Sequence, residues 1–267
     1  VIMNFDFSDK TVLITAGSKG IGFALANHFA KYNANVVICS RDNKNLQIAK
    51  KKILSENKKA KILALKFDIS KIDKIDNLFK KIEKYFLTSV NILINNSGGP
   101  PVKEILKITP KDLDKAINNN FKSAFFFSKV ALKKMIKNKW GRIINLTSTT
   151  AREPEPNFAL SNSTRSALAS FSKTLSLEVG KYGITVNTIL TGGCMTDRLK
   201  SLISNNSKMS SKIYSNKIKS ISLNVPVRFI AVPDEFIQQI LFLASENSSY
   251  ITGAAIPIDG GTSKSIF

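Results

Sequence analysis

Short apolar, β-branched segments alternate along the chain with stretches of helical periodicity, and this order restricts the fold more than any other feature. The strand candidates are Val12–Thr15, Val36–Cys39, Ile62–Lys66, Ile92–Ile94, Arg142–Leu146, Thr185–Leu190 and Ala255–Ile258. Helical patterns occupy residues 20–32, 43–56, 71–86, 111–138, 159–181 and 233–244. Continuous apolar strands separated by helices argue for right-handed βαβ units, with a parallel sheet covered on both faces. The 267 residues are 43% hydrophobic, enough for a full core, and no linker or composition break divides them. The chain therefore reads as a single α/β domain over residues 1–267. Residues 195–227 stand apart, being rich in Ser, Asn and Lys with weak periodicity. Such an insertion before the last helix predicts a mobile lid over a ligand crevice.

The first strand runs directly into a glycine-rich turn, Thr11-Val-Leu-Ile-Thr-Ala-Gly-Ser-Lys-Gly-Ile-Gly22, and a helical pattern follows from Phe23 to Tyr32. Strand, glycine turn and helix in this order set a helix N-terminus against a pyrophosphate. Gly17 permits the tight turn, Gly20 lets backbone approach a phosphate, and Gly22 lets helix and strand pack closely. Ser18, Lys19 and Ile21 complete the phosphate-facing turn. The spacing is Gly-x-x-x-Gly-x-Gly rather than Gly-x-Gly-x-x-Gly. In a Rossmann-type, doubly wound sheet of about seven strands, the end of the second strand meets the adenosine ribose. An acidic residue there favours a free 2′-hydroxyl, and an arginine favours a 2′-phosphate. Ser40 and Arg41 occupy that place, and with Lys19 they predict NADP(H) over NAD(H).

The formal charge of +21 comes from 40 basic against 19 acidic residues. The lysines are scattered through every expected helix, and no zinc spacing, RNA-binding signature or recognition helix accompanies them. The charge thus fits acidic partners, such as phosphorylated substrates or an acidic carrier protein, better than nucleic acid. No apolar run approaches the ~18 residues of a membrane span, and no signal-peptide segment opens the chain. Cys39 and Cys194 are too few and too far apart in sequence for a disulfide framework or metal site, and His28 is the single histidine. A reducing, cytoplasmic protein without a metal is expected.

Further motifs carry a resemblance to the short-chain dehydrogenase/reductase family, close to β-ketoacyl-[acyl-carrier-protein] reductases. They are Thr15 to Gly22, Asp68-Ile69, Asn95-Asn-Ser-Gly98, Asn120, Ser148, Thr191-Gly192 with Thr196, Tyr250-Ile-Thr-Gly253 and Asp259-Gly-Gly261. The resemblance runs from Lys10 to Gly261. It implies that Asp68, with Ile69, holds the adenine, and that Asn95, Ser97 and Gly98 line the cofactor's central portion. It further implies that Thr191, Gly192 and Thr196 sit at the nicotinamide end, that Asn120 and Ser148 are catalytic, and that the chain forms a homo-oligomer, a tetramer or dimer. The expected substrate is a small molecule or an acyl thioester.

The family's Tyr-x-x-x-Lys signature is replaced. Its tyrosine follows the catalytic serine by thirteen residues, which from Ser148 leads to Ser161, and four further lies Arg165. In relatives the tyrosine hydroxyl protonates the substrate oxygen while the lysine lowers its pKa and holds the ribose. A serine is a weaker, shorter acid, and a guanidinium binds without shuttling protons. Loss of a positioned general acid costs roughly 10²- to 10⁴-fold in rate. Hydroxyls at Thr147, Thr149 and Thr150 are no better acids, Tyr182 is expected far from the substrate, and Tyr214 lies in the lid segment. Dienoyl-CoA reductases are relatives with serine at the tyrosine position, and water or another group protonates carbon there. Glu153 and Glu155, on the loop before Ser161, are carboxylates able to activate water or bind a cation, and Gly98-Gly-Pro-Pro101 stiffens the opposite wall. Two readings follow: an NADPH-dependent reductase with non-standard proton delivery, or an NADP(H)-binding protein with a sensing or structural role.

Overall fold

The computed structural model describes residues 5–204 and 210–266. Its centre is a parallel sheet of seven strands in the order β3-β2-β1-β4-β5-β6-β7. The strands are β1 Thr11–Thr15, β2 Asn35–Ser40, β3 Lys61–Lys66, β4 Ile92–Asn95, β5 Gly141–Leu146, β6 Ile184–Thr191 and β7 Ala255–Ile258. The helices are α1 Gly20–Lys31, α2 Asn43–Glu56, α3 Ile75–Phe86, α4 Pro110–Ile117, α5 Ser123–Asn138, α6 Ala159–Val179, α7 Asp197–Ser204, α8 Ser211–Asn224 and α9 Ile237–Ala244. Every expected strand is present within two residues of its anticipated ends.

The apolar runs follow from two-sided burial. Along β1, Val12 and Ile14 face a core shared with α1, α2 and α9, while Leu13 faces a second core shared with α3, α5 and α6. Strand order reverses between β1 and β4, because β2 and β3 extend the sheet one way and β4 to β7 the other. A crevice opens at the carboxyl ends of the strands at such a reversal.

Two elements differ from expectation. The helical pattern over 111–138 is two helices joined by a π-helical turn, Asn118–Lys122, which carries the buried Asn120. A capping box of Thr109 and Asp112, with Pro110 in the first turn, fixes the start of α4. The Ser- and Lys-rich 195–227 segment is largely helical, as α7 and α8, and residues 205–209 lie outside the described residues. Helix α8 buries none of its residues, so it has no apolar stripe for sequence periodicity to reveal.

Candidate active site

A cleft of about 740 Å³ lies at the carboxyl ends of the strands, where β1, β4, β5 and β6 end. Its floor at one end is the glycine turn. A Cβ on Gly17 would lie 2.7 Å from Ile38 Cγ2, and one on Gly22 would lie 2.7 Å from the Ala16 carbonyl oxygen. Both glycines therefore shape the turn from beneath, while Ser18, Lys19, Gly20 and Ile21 line the cleft. Gly20 adopts φ +55, a left-handed conformation that favours glycine. Lys19 precedes α1 without any side-chain cap, which leaves first-turn N–H groups directed to a ligand. This cradle fits the pyrophosphate of a dinucleotide. Lys19 Nζ also lies 3.5 Å from Asp197 Oδ2, tying the turn to α7. Ser40 and the exposed Arg41 line the cleft beside the turn, at the end of β2.

Asn120, Ser148, Ser161 and Arg165 all line the same cleft. Ser148 Oγ accepts hydrogen bonds from the Thr150 N–H at 3.3 Å and Thr150 Oγ1 at 3.2 Å. The π-turn holds Asn120 so that its Oδ1 accepts from Ser97 Oγ at 2.9 Å, while its buried Nδ2 meets no partner among the described residues. Arg165 is 7% exposed, and its Nη1 donates to the Leu146 carbonyl at 2.7 Å. Its Nε is unpartnered, and no carboxylate pairs with it among the described residues. Burial, aided by the charge of Arg198, pulls its pKa down to about 10, so the group remains cationic at neutral pH. Both unpartnered atoms are themselves buried, so what Asn120 and Arg165 offer a ligand is the rest of their side chains in the cleft lining, where a cation suits an acceptor-rich group such as the ribose of a nicotinamide nucleotide.

An unpaired buried cation is costly to fold. The burial that pulls the pKa down to about 10 is an unfavourable contribution of a few kcal/mol, comparable with the roughly 1.5–3 kcal/mol of the charged Leu146 hydrogen bond that would be lost. Arg165→Met is therefore expected to leave the melting temperature within a few degrees of the parent while impairing cofactor binding, as calorimetry and fluorescence titration would report. A fall of about ten degrees or more would show that Arg165 is structural.

The cleft gathers most of the other expected residues. Ile69, Ser97, Gly98, Thr191, Gly192 and Thr196 line it, with Thr191 Oγ1 donating to the Thr147 carbonyl at 2.8 Å. Two of the expected residues do not line the cleft. Asn95 points into the sheet, where its Nδ2 donates to Asn145 Oδ1 at 2.7 Å on the adjacent strand, so Asn96 lines the cleft in its place. Asn96 is fixed by its N–H to Thr15 Oγ1 at 2.8 Å and its Nδ2 to the Ala16 carbonyl at 3.3 Å. Asp68 accepts the Ser70 N–H at 3.0 Å and hydroxyl at 2.9 Å and lies outside the lining, where Phe67 and Ile69 form the wall.

No tyrosine is among the described residues lining the cleft: Tyr214 sits on α8 away from it, and Tyr182 packs against the core under α6. Thr147, Thr149 and Thr150 do line it. Glu155 lines the cleft, whereas Glu153 accepts backbone N–H groups of Lys264 and Ser265, fastening the C-terminal segment. Those bonds, led by Ser265, hold the Glu153 carboxyl below its usual range. Sequence reasoning missed Arg198 on α7, whose guanidinium donates to the Pro100 carbonyl and crosses Gly99.

Fold and cleft together define a nucleotide-binding oxidoreductase of the doubly wound type. The short chain dehydrogenase family model matches residues 10–207, and the chain belongs to this family of NAD(P)-dependent oxidoreductases. It is 31% identical over 256 residues to the 3-oxoacyl-[acyl-carrier-protein] reductase FabG of Rickettsia conorii, covering 96% of this chain and 98% of the relative. It is 30% identical over 259 residues to the NADPH-dependent reductase BacG of Bacillus subtilis, covering 97% and 100%. The crystal structure of L-sorbose reductase from Gluconobacter frateurii, complexed with NADPH and L-sorbose, superposes with a TM-score of 0.93 at 27% identity, covering 99% and 100%. Among the described residues, no helix is long and apolar enough to cross a membrane.

Proposed function

We propose that the protein is an NADP(H)-dependent reductase that delivers hydride to a carbonyl or conjugated thioester and draws its proton from water. The observation that carries this reading is the convergence of Asn120, Ser148 and a buried cationic Arg165 with the uncapped α1 turn in one cleft that no described tyrosine lines. A bound nicotinamide supplies the hydride. The turn and Lys19 hold the pyrophosphate, Thr196 orients the carboxamide, and the free donors of Arg165 hold the ribose. Ser148 and Ser161 donate hydrogen bonds to the substrate oxygen as negative charge gathers there, and the Arg165 charge stabilises it further. Reduction of a carbonyl would leave negative charge on the substrate oxygen, which these groups would hold until a water gives it a proton. In a conjugated substrate the water protonates carbon instead. The helical segment α7–α8 acts as the lid, and the chain assembles as a dimer or tetramer.

Arg41 sets the cofactor preference. Arg41→Asp is expected to weaken NADPH binding by roughly 10- to 100-fold, the loss of one charge-assisted contact, and to strengthen NADH binding. Fluorescence titration measures both, and equal affinities of the parent for the two cofactors would remove the role assigned to Arg41. The Ser161 and Arg165 pair supports a second reading, an NADP(H)-binding protein with a sensing or structural role. Tight NADPH binding without reduction of 3-oxoacyl or 2,4-dienoyl thioesters or of any other substrate would favour it.

A further inference from the structure

The segment that follows β7 touches three parts of the cleft's surroundings in turn. It first passes Gly192, a residue of the lining, where a Cβ would lie 2.6 Å from Asp259 Cα. Asp259 turns the chain, accepting the Gly261 N–H at 2.9 Å and the Ser263 N–H at 2.8 Å. Gly260 adopts φ +66, and a Cβ on it would meet Val225 Cγ1 and Val227 Cγ2, each at 2.7 Å. The glycine therefore lets the end of the proposed lid lie directly on the tail, where the Val227 N–H donates to the Gly260 carbonyl at 3.3 Å. Farther on, Glu153 Oε1 accepts the Lys264 N–H at 2.7 Å and the Ser265 N–H at 2.5 Å.

Glu153 opens a stiff stretch of chain. Pro154 and Pro156 fix φ on either side of Glu155, and Phe158 then stands immediately before α6. Glu155, Phe158 and Ser161 all line the cleft, whereas Glu153 does not. Its neighbour Arg152 donates from Nη2 to the Ala255 carbonyl of β7 at 3.0 Å, so two successive side chains stitch this loop to the C-terminal region. A carboxylate that accepts two N–H groups makes charge-assisted bonds, which are stronger than neutral ones. Because the prolines restrict the loop, a displacement of Glu153 is passed on to Glu155 and Phe158. Resting on the reductase reading above, we infer that Glu153 is a positioning residue: by holding the 259–265 segment it fixes the substrate-side loop and the end of the lid relative to each other. It acts through the tail, so its loss loosens two walls of the substrate end together. The glycine turn, which neither Glu153 nor the tail touches, keeps its hold on the cofactor.

The test compares the full-length parent with Glu153→Ala and Glu153→Gln. Amide hydrogen exchange, read by mass spectrometry with NADPH bound, needs no turnover. In Glu153→Ala, exchange is expected to quicken roughly threefold or more over residues 211–229 as well as 259–265, although Glu153 bonds to none of the first set, while α2 and α3 stay unchanged. In reduction of 3-oxoacyl and 2,4-dienoyl thioesters, KM is expected to rise roughly tenfold or more, with kcat altered less than about threefold and NADPH affinity retained. Glu153→Gln keeps an oxygen that accepts both N–H groups, so it is expected to fall between parent and alanine variant in each readout. It decides the matter alone if circular dichroism shows the alanine variant unfolded. Faster exchange confined to 259–265, exchange raised equally in α2 and α3, or an unchanged KM overturns the positioning role and leaves the reductase reading intact. Coupled exchange in the lid, with no thioester reduced by the parent, sustains the positioning role and rejects the reductase reading. Absence of both overturns the two together.

Discussion

The double variant Ser161→Tyr, Arg165→Lys is expected to reduce a 3-oxoacyl thioester roughly 10²- to 10⁴-fold faster than the parent, the range a positioned general acid contributes. Both side chains already line the cleft with Ser148 and Asn120, so the substitutions place a phenol and an ammonium where the rest of the constellation stands. An ammonium is more compact than a guanidinium and its pKa adjusts more readily on burial, so a lysine suits the buried position of Arg165. The single Ser161→Tyr variant should gain less, since the guanidinium of Arg165 is committed to the Leu146 carbonyl. Steady-state NADPH oxidation measures the series. A double variant no faster than the parent would show that the parent already has an efficient proton donor.

The second large effect falls on the cofactor. Gly22→Ala is expected to weaken NADPH binding by about 100-fold or more, close to 3 kcal/mol. Its Cβ would meet the Ala16 carbonyl oxygen and Asn96 Nδ2, each at 2.7 Å, and a backbone oxygen cannot swing aside as a flexible side chain does. The turn must shift, and with it the N–H groups that face the pyrophosphate. Asn96 must move too, and its bonds to Thr15 and Ala16 hold β1 and β4 together at the mouth of the cleft. Titration with NADPH, alongside circular dichroism to confirm the fold, decides the matter. Unchanged affinity in a folded Gly22→Ala protein would dissociate the turn from the cofactor.

The fold was legible because burial on two faces leaves its mark on every residue of a strand. Val12, Leu13 and Ile14 are all apolar since each must enter one core or the other. The glycine turn was legible for a related reason: the atoms beneath Gly17 and Gly22 admit no side chain. The site was legible only in part. The Asn95-Asn96 pair offers two identical amides, and the pleat of β4 decides which enters the sheet and which reaches the cleft. A π-turn has no periodicity of its own, so the interruption at Asn118–Lys122 was hidden inside one long helical pattern. Helix α8 was hidden because it buries nothing. Arg198 was one of 40 basic residues, and only its approach to Gly99 and its bond to the Pro100 carbonyl separate it from the rest. Composition masked the residue, and geometry recovers it.

The arrangement also divides labour between the two ends of the cleft. In the proposed arrangement backbone N–H groups, Lys19 and Arg41 would recognise charge on the cofactor at one end, and the hydroxyls of Ser148 and Ser161 beside the buried Arg165 would meet the substrate at the other. Preorganised donors retain much of their value when the proton donor is weak, because they stabilise charge as it develops without reorganising. That is the physical reason a cleft without tyrosine can still support hydride transfer.

Hydride transfer itself is the most direct measurement. NADPH carrying deuterium at C4, on either face in separate samples, is incubated with 3-oxoacyl and 2,4-dienoyl thioesters, and the products are weighed by mass spectrometry. The expected result is one deuterium in the product from one of the two labelled faces, with an equal amount of NADP⁺ formed and the second hydrogen taken from solvent. NADPH bound tightly with no deuterium reaching any product would contradict the assignment as a reductase.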